Sequence, residues 1–89
     1  MEDELKELRK EIDELNKELL KILSTRGEIV KKIGQIKSEK GISIVDGDRE
    51  DEILKKIKNQ NKGPYSSAQI VKIFQEIFRQ SVELQKEDT

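Results

Sequence analysis

The sequence contains neither cysteine nor histidine. That excludes disulfides, thiolate nucleophiles, zinc sites of the usual kind and imidazole acid–base catalysis. Tryptophan is also absent, and the only aromatic residues are Tyr65, Phe74 and Phe78. No apolar run approaches the ~20 residues of a membrane-spanning helix. The acidic, heptad-patterned opening MEDELKELRK lacks the apolar stretch of a secretory signal. No sign of charge dominates: 18 basic against 19 acidic residues leave a net charge of −1. A nucleic-acid binder would show a basic face and a high pI. These absences predict a cytoplasmic protein with neither membrane nor nucleic acid as a partner.

What is present is helix. The 89 residues are 42% charged and 33% apolar, which makes one domain over 1–89 with a thin core of its own. Charges of both signs interleave along the chain, as on a solvated helical face. From Leu5 the apolar residues run Leu8, Ile12, Leu15, Leu19 and Ile22, and after one interruption Ile29, Ile33 and Ile36. The alternating steps of three and four are the seam of a long packed helix. A first helix is predicted over about 2–39, roughly 50 Å long and longer than a globule of this size is wide. That mismatch points to a partner chain. Gly27 and Gly34 inside it suggest close approach of another helix or a ligand.

Gly41 to Val45 reads as a linker. Asp46 suits the N-cap of a second helix over about 46–60, with Ile53, Leu54 and Ile57 as its apolar face. The stretch Asn59 to Pro64 ends that helix. Ser66 or Ser67 opens a third helix over about 67–86, with Ile70, Phe74, Ile77, Ser81 and Leu84 as its seam. The fold class is all-α: one very long N-terminal helix and two shorter ones.

The interruption in the first seam is Arg26. A guanidinium stays charged at ordinary pH, so placing it among apolar residues is costly unless an anion meets it. Lys37 follows eleven residues later on nearly the same face, about 16 Å further along. Ser81 occupies a seam position of the third helix, and Gln85 lies one turn beyond it. Asp46, Arg49 and Glu50 gather at the start of the second helix, where backbone N–H groups are unpaired. Each has an ordinary reading taken alone. A seam arginine can be an internal ion pair or a register device, and the others can be surface residues or helix formers. Together they place cations, amide and hydroxyl groups and an acidic pair towards the interior of a bundle, as helical folds build ligand sites. The matching ligand is a small dianion bearing a hydroxyl, handled by electrostatics and orientation rather than by a nucleophile.

Four stretches then carry a resemblance: Leu8-Arg9-Lys10-Glu11-Ile12-Asp13; Arg26 with Gly34-Gln35-Ile36-Lys37; Asp46-Gly47-Asp48-Arg49-Glu50; and Ile73-Phe74-Gln75-Glu76-Ile77 through Ser81 to Gln85. In this order and spacing the chain resembles the all-helical class of chorismate mutases over essentially its whole length. It is most similar to the form fused ahead of 3-deoxy-7-phosphoheptulonate synthase in some Gram-positive bacteria, with Leu84 to Asp88 similar to the point where that fusion continues. The resemblance implies the rearrangement of chorismate to prephenate, with no cofactor and no metal, in an intertwined homodimer with shared sites. It implies that Arg26 holds one substrate carboxylate and that Arg9 of the other protomer holds the second. Lys37 and Gln85 would donate to the ether oxygen, and Glu50 would accept from the ring hydroxyl near Asp46. Arg49 would add positive potential, and Ser81 would support a carboxylate. Gly27 follows Arg26 where some members of the family carry a second arginine. Spacing independently favours a two-chain site, because Arg9 and Lys37 are 28 residues apart on one helix, or about 42 Å. The alternative readings are a helical oligomerisation module without catalysis and a regulatory domain binding chorismate or prephenate for a fused synthase.

Overall fold

The computed structural model describes residues 2–87 and consists of three α-helices: α1 (Glu2–Lys40), α2 (Gly47–Gln60) and α3 (Ser67–Lys86). Asp88, the last residue of the stretch compared with a fusion point, lies outside the described residues. α1 runs unbroken for 39 residues, or about 58 Å at the helical rise, and so accounts for the 57 Å long axis of the molecule. The radius of gyration is 16.6 Å, against roughly 12 Å for a globule of this length. The chain is a rod with a short second layer on one half.

The helix ends follow from local chemistry. α1 stops where Gly41 takes φ +67°, a conformation that suits glycine. There the Gly41 N–H donates to Ser38 O at 3.3 Å and the Ile42 N–H to Lys37 O at 2.8 Å, a Schellman closure. α2 starts one residue after Asp46, whose carboxylate accepts from the Arg49 N–H at 3.0 Å. Past α2 the Asn61 carboxamide spans the turn, donating to Tyr65 O at 2.8 Å and accepting from the Gly63 N–H at 3.0 Å. α3 opens with a capping box: the Ser66 hydroxyl accepts from the Gln69 N–H, and the Gln69 side chain accepts from the Ser66 N–H.

Packing is concentrated in the C-terminal half of the rod. α3 lies against both α1 and α2. Val30 and Phe78 are the buried apolar residues among those described, and the Phe78 ring meets Phe74 in a tilted pair with centroids 6.3 Å apart. α3 does not cover the seam that defines α1 in sequence. It uses a neighbouring stripe that includes Gly27, Val30 and Gly34, again at steps of three and four. Leu84 and Gln85 press against the two glycines, whose missing side chains allow the approach. The long seam stays open within one chain, with Leu8, Ile12 and Leu15 each more than half exposed. Fully covering an aliphatic side chain contributes about 1.5–3 kcal/mol, so much of the apolar stabilisation available to α1 is not realised within this chain. The charged face consists of exposed pairs such as Lys10–Glu7 and Lys17–Glu14, each worth a few tenths of a kcal/mol at most.

Candidate active site

The α1–α3 junction brings together three of the residues singled out in sequence. Arg26 Nη1 donates to Ser81 Oγ at 2.7 Å, and Ser81 Oγ donates in turn to Ile77 O at 2.7 Å. A serine in mid-helix commonly returns its proton to the carbonyl one turn back. That bond leaves the oxygen lone pairs facing the guanidinium. Arg26 is half-buried, and among the described residues no carboxylate lies within ion-pair reach of it. The contrast with Arg79, paired with Glu76 at 3.1 Å, and Arg49, paired with Glu52 at 2.7 Å, is direct. The internal ion pair considered for Arg26 from sequence is not formed within this protomer.

Gln85 is the buried polar residue, 7% exposed. Its Nε2 donates to Ser81 O at 3.2 Å, which uses one of two N–H groups, and its Oε1 is buried without a hydrogen-bond partner among the described residues. A buried amide oxygen left unpaired costs about 1–3 kcal/mol, so this carboxamide is held where packing alone would not favour it.

Lys37 lies one turn beyond Gly34 on α1. Its Nζ donates to Ile44 O at 3.2 Å, tying the half-buried ammonium to the linker between α1 and α2. Two of its three N–H donors are not used in that bond. On the far side of the linker, Asp46 is engaged as the cap of α2, and Glu50 is half-buried with no ion pair among the described residues. Arg49 is exposed, and its guanidinium is bound to Glu52. Arg9 is not part of the cluster. It is exposed on the same unbroken helix, about 25 Å from Arg26 and about 42 Å from Lys37.

A groove of about 550 Å³ opens where α3 diverges from α1, between Leu19 and Leu23 on one side and Ile73, Ile77 and Leu84 on the other. Arg26 and Ser81 contribute to its wall, but Lys37, Gln85 and Glu50 do not. Its walls are those of a helix-docking cleft more than of a pocket for a dicarboxylate. Gly34, marked in sequence as a place of close approach, is the residue on which Gln85 rests. The glycine spacing hinted at the close approach but not at which side chain fills it.

One long and two shorter helices make an all-α domain in which a half-buried arginine without a carboxylate and a buried carboxamide both bond to Ser81. The family described as chorismate mutase type II matches residues 8–86. The chain is 35% identical over 88 residues to the chorismate mutase of Methanocaldococcus jannaschii, a match covering 98% of this chain and 89% of that protein. It is 41% identical over 88 residues to the bifunctional chorismate mutase/prephenate dehydratase of Aquifex aeolicus, covering 94% of this chain and 24% of that protein. The solved structure of chorismate mutase (form II) from Thermus thermophilus matches at a TM-score of 0.90 and 40% identity, covering 92% of this chain and 93% of that one. The chain belongs to the chorismate mutase type II family, and it spans about a quarter of the length of the bifunctional Aquifex relative. No helix among the described residues is long and apolar enough to cross a membrane.

Proposed function

We propose that this chorismate mutase domain converts chorismate to prephenate in two equivalent sites, each shared between two copies of the chain. The observation that carries the proposal is Arg26, a half-buried cation held by a serine hydroxyl with no carboxylate of its own chain in reach. Chorismate brings two carboxylates, a ring hydroxyl and an enol-ether oxygen. Arg26 takes one carboxylate and Ser81 fixes the guanidinium for it; a fork-shaped pairing suits a planar anion. Arg9 of the other copy takes the second carboxylate, because its own copy lies too far away along α1.

In the rearrangement one C–O bond breaks as one C–C bond forms, and no proton moves. The enzyme has only to hold the folded substrate and to stabilise the negative charge that grows on the ether oxygen. Lys37, with two donors to spare, and the second Nε2–H of Gln85 supply that stabilisation. Glu50 accepts from the ring hydroxyl, with Asp46 fixing the start of α2 beside it. Arg49 contributes positive potential from the edge of the site.

The uncovered seam from Leu5 to Ile22 and the apolar groove beside α3 support an intertwined homodimer, in which a second α1 covers both. A place ahead of a domain of the 3-deoxy-7-phosphoheptulonate synthase kind belongs to the same reading, and relatives in which the mutase is part of a longer chain support the presence of a further domain of some kind. The second domain printed for those relatives is a prephenate dehydratase. A cytoplasmic location belongs to the same proposal. The test is the loss of chorismate absorbance in the presence of purified protein. A rate no faster than buffer alone would sink the catalytic reading.

A further inference from the structure

We infer that Gly34 is a positioning residue that acts through Gln85, an inference that rests on the donor role proposed for that carboxamide. Gly34 is one of two buried residues of α1. A methyl group at this position would stand 2.9 Å from Gln85 Cγ, 3.2 Å from Gln85 Cβ and 3.5 Å from Gln85 Cα. The first two distances lie inside ordinary carbon–carbon contact. Turning the side chain about χ1 would move Cγ but not Cβ, so relief requires α3 itself to shift near its end. Such a shift carries the Gln85 carboxamide, tied to Ser81 O of the same helix, off its present seat against α1.

Gly27 shows that this is not a general demand of the helix crossing. A methyl group there would meet only Leu84 Cδ2 at 3.3 Å, the far end of a flexible side chain that can turn aside. Of the two glycines in α1, one sits under a leucine tip and the other under the root of the glutamine. Gly34 also lies one turn before Lys37 on the same face, where residues three apart are neighbours. The bare backbone at 34 therefore lets Gln85 settle low against the α1 face that also carries the lysine, and in the proposed site the two donors converge on one oxygen.

The experiment compares Gly34→Ala in the wild-type chain and in a Gln85→Ala background, with Gly27→Ala as the reference substitution. The readouts are kcat, KM and Tm on the assembled protein. In the wild-type background Gly34→Ala lowers kcat about 20-fold or more, with KM changed by less than about threefold. In the Gln85→Ala background, where the carboxamide donor is already lost, the same change costs less than about twofold in kcat. Gly27→Ala leaves kcat within about twofold. An equal cost in both backgrounds, or unchanged kcat for Gly34→Ala, overturns the inference. If Gly34→Ala fails to fold in the wild-type chain but folds with Gln85→Ala, the contact is upheld; failure in both makes Gly34 a packing residue only and overturns it. A wild-type protein without mutase activity would refute the proposed function instead, and the Tm difference between the two backgrounds, read without substrate, would then decide the Gly34–Gln85 contact by itself.

Discussion

Arg26 on α1 and Ser81 on α3 meet at 2.7 Å, guanidinium to hydroxyl, and the same serine passes its own proton to Ile77 O. The arginine is thus held by an acceptor that carries no charge, which keeps its full positive charge available to an anion. A carboxylate in place of Ser81 would fix the side chain as well but neutralise it. Hydrogen bonds to charged groups contribute about 1.5–3 kcal/mol. Ser81→Ala is therefore expected to raise KM for chorismate about tenfold or more, with kcat less affected. Steady-state kinetics separates the two; an unchanged KM would show that Arg26 does not need the serine.

Lys37→Ala is expected to depress kcat about 100- to 1000-fold, the loss typical of removing one donor to developing charge. The helical content of the variant should match the parent by circular dichroism, because the lysine makes a single bond to the linker, at Ile44 O. A variant that keeps its kcat would rule out the donor role.

Gln85 donates through an amide, which does not titrate across the usual pH range. Activity is expected to stay level from about pH 5 to 8 as far as this residue is concerned. Gln85→Glu converts the donor into a carboxyl that donates only when protonated, and burial favours the protonated form. Its rate should fall as pH rises and recover as pH drops. A pH–kcat profile for both proteins checks this; parallel profiles would contradict it.

Mixing Arg9→Ala with Arg26→Ala tests the shared site. Each variant alone lacks one carboxylate anchor in both sites of its dimer. After subunit exchange, half the dimers are hybrids, and each hybrid has one site with both arginines intact. About a quarter of the wild-type rate should return. No recovery in a sample where exchange has been demonstrated by mass spectrometry would count against a site built from two chains.

The periodic residues made most of the fold legible. Leu5 to Ile36 gave α1, Asp46 and Ser66 gave the starts of α2 and α3, and Arg26 stood out because its neighbours at three and four residues are aliphatic. Less legible was which stripe of α1 packs inside the chain. The seam with the larger residues is left uncovered, and α3 chose the stripe with the glycines, because close helix approach gains more contact than a longer row of leucines held at a distance. The partner of Arg49 was less legible for a related reason. An arginine beside two acids in sequence pairs with the acid one turn on, Glu52, since residues three or four apart meet on a helix and adjacent ones do not. No spacing in the sequence shows a contact that spans 55 residues, such as Arg26 to Ser81.

The unbroken course of α1 makes it a ruler. In the proposed dimer Arg9 and Lys37 serve different sites from one rigid rod, so their separation and their angle about the axis are set together by the number of residues between them. One inserted residue between Arg9 and Arg26 would turn the first arginine by about 100° and carry it off the face that meets the neighbouring chain. Length variation in such a domain is then confined to the two connections, residues 41–46 and 61–66, or must come in α1 as whole heptads, which restore the angle while lengthening the span between sites.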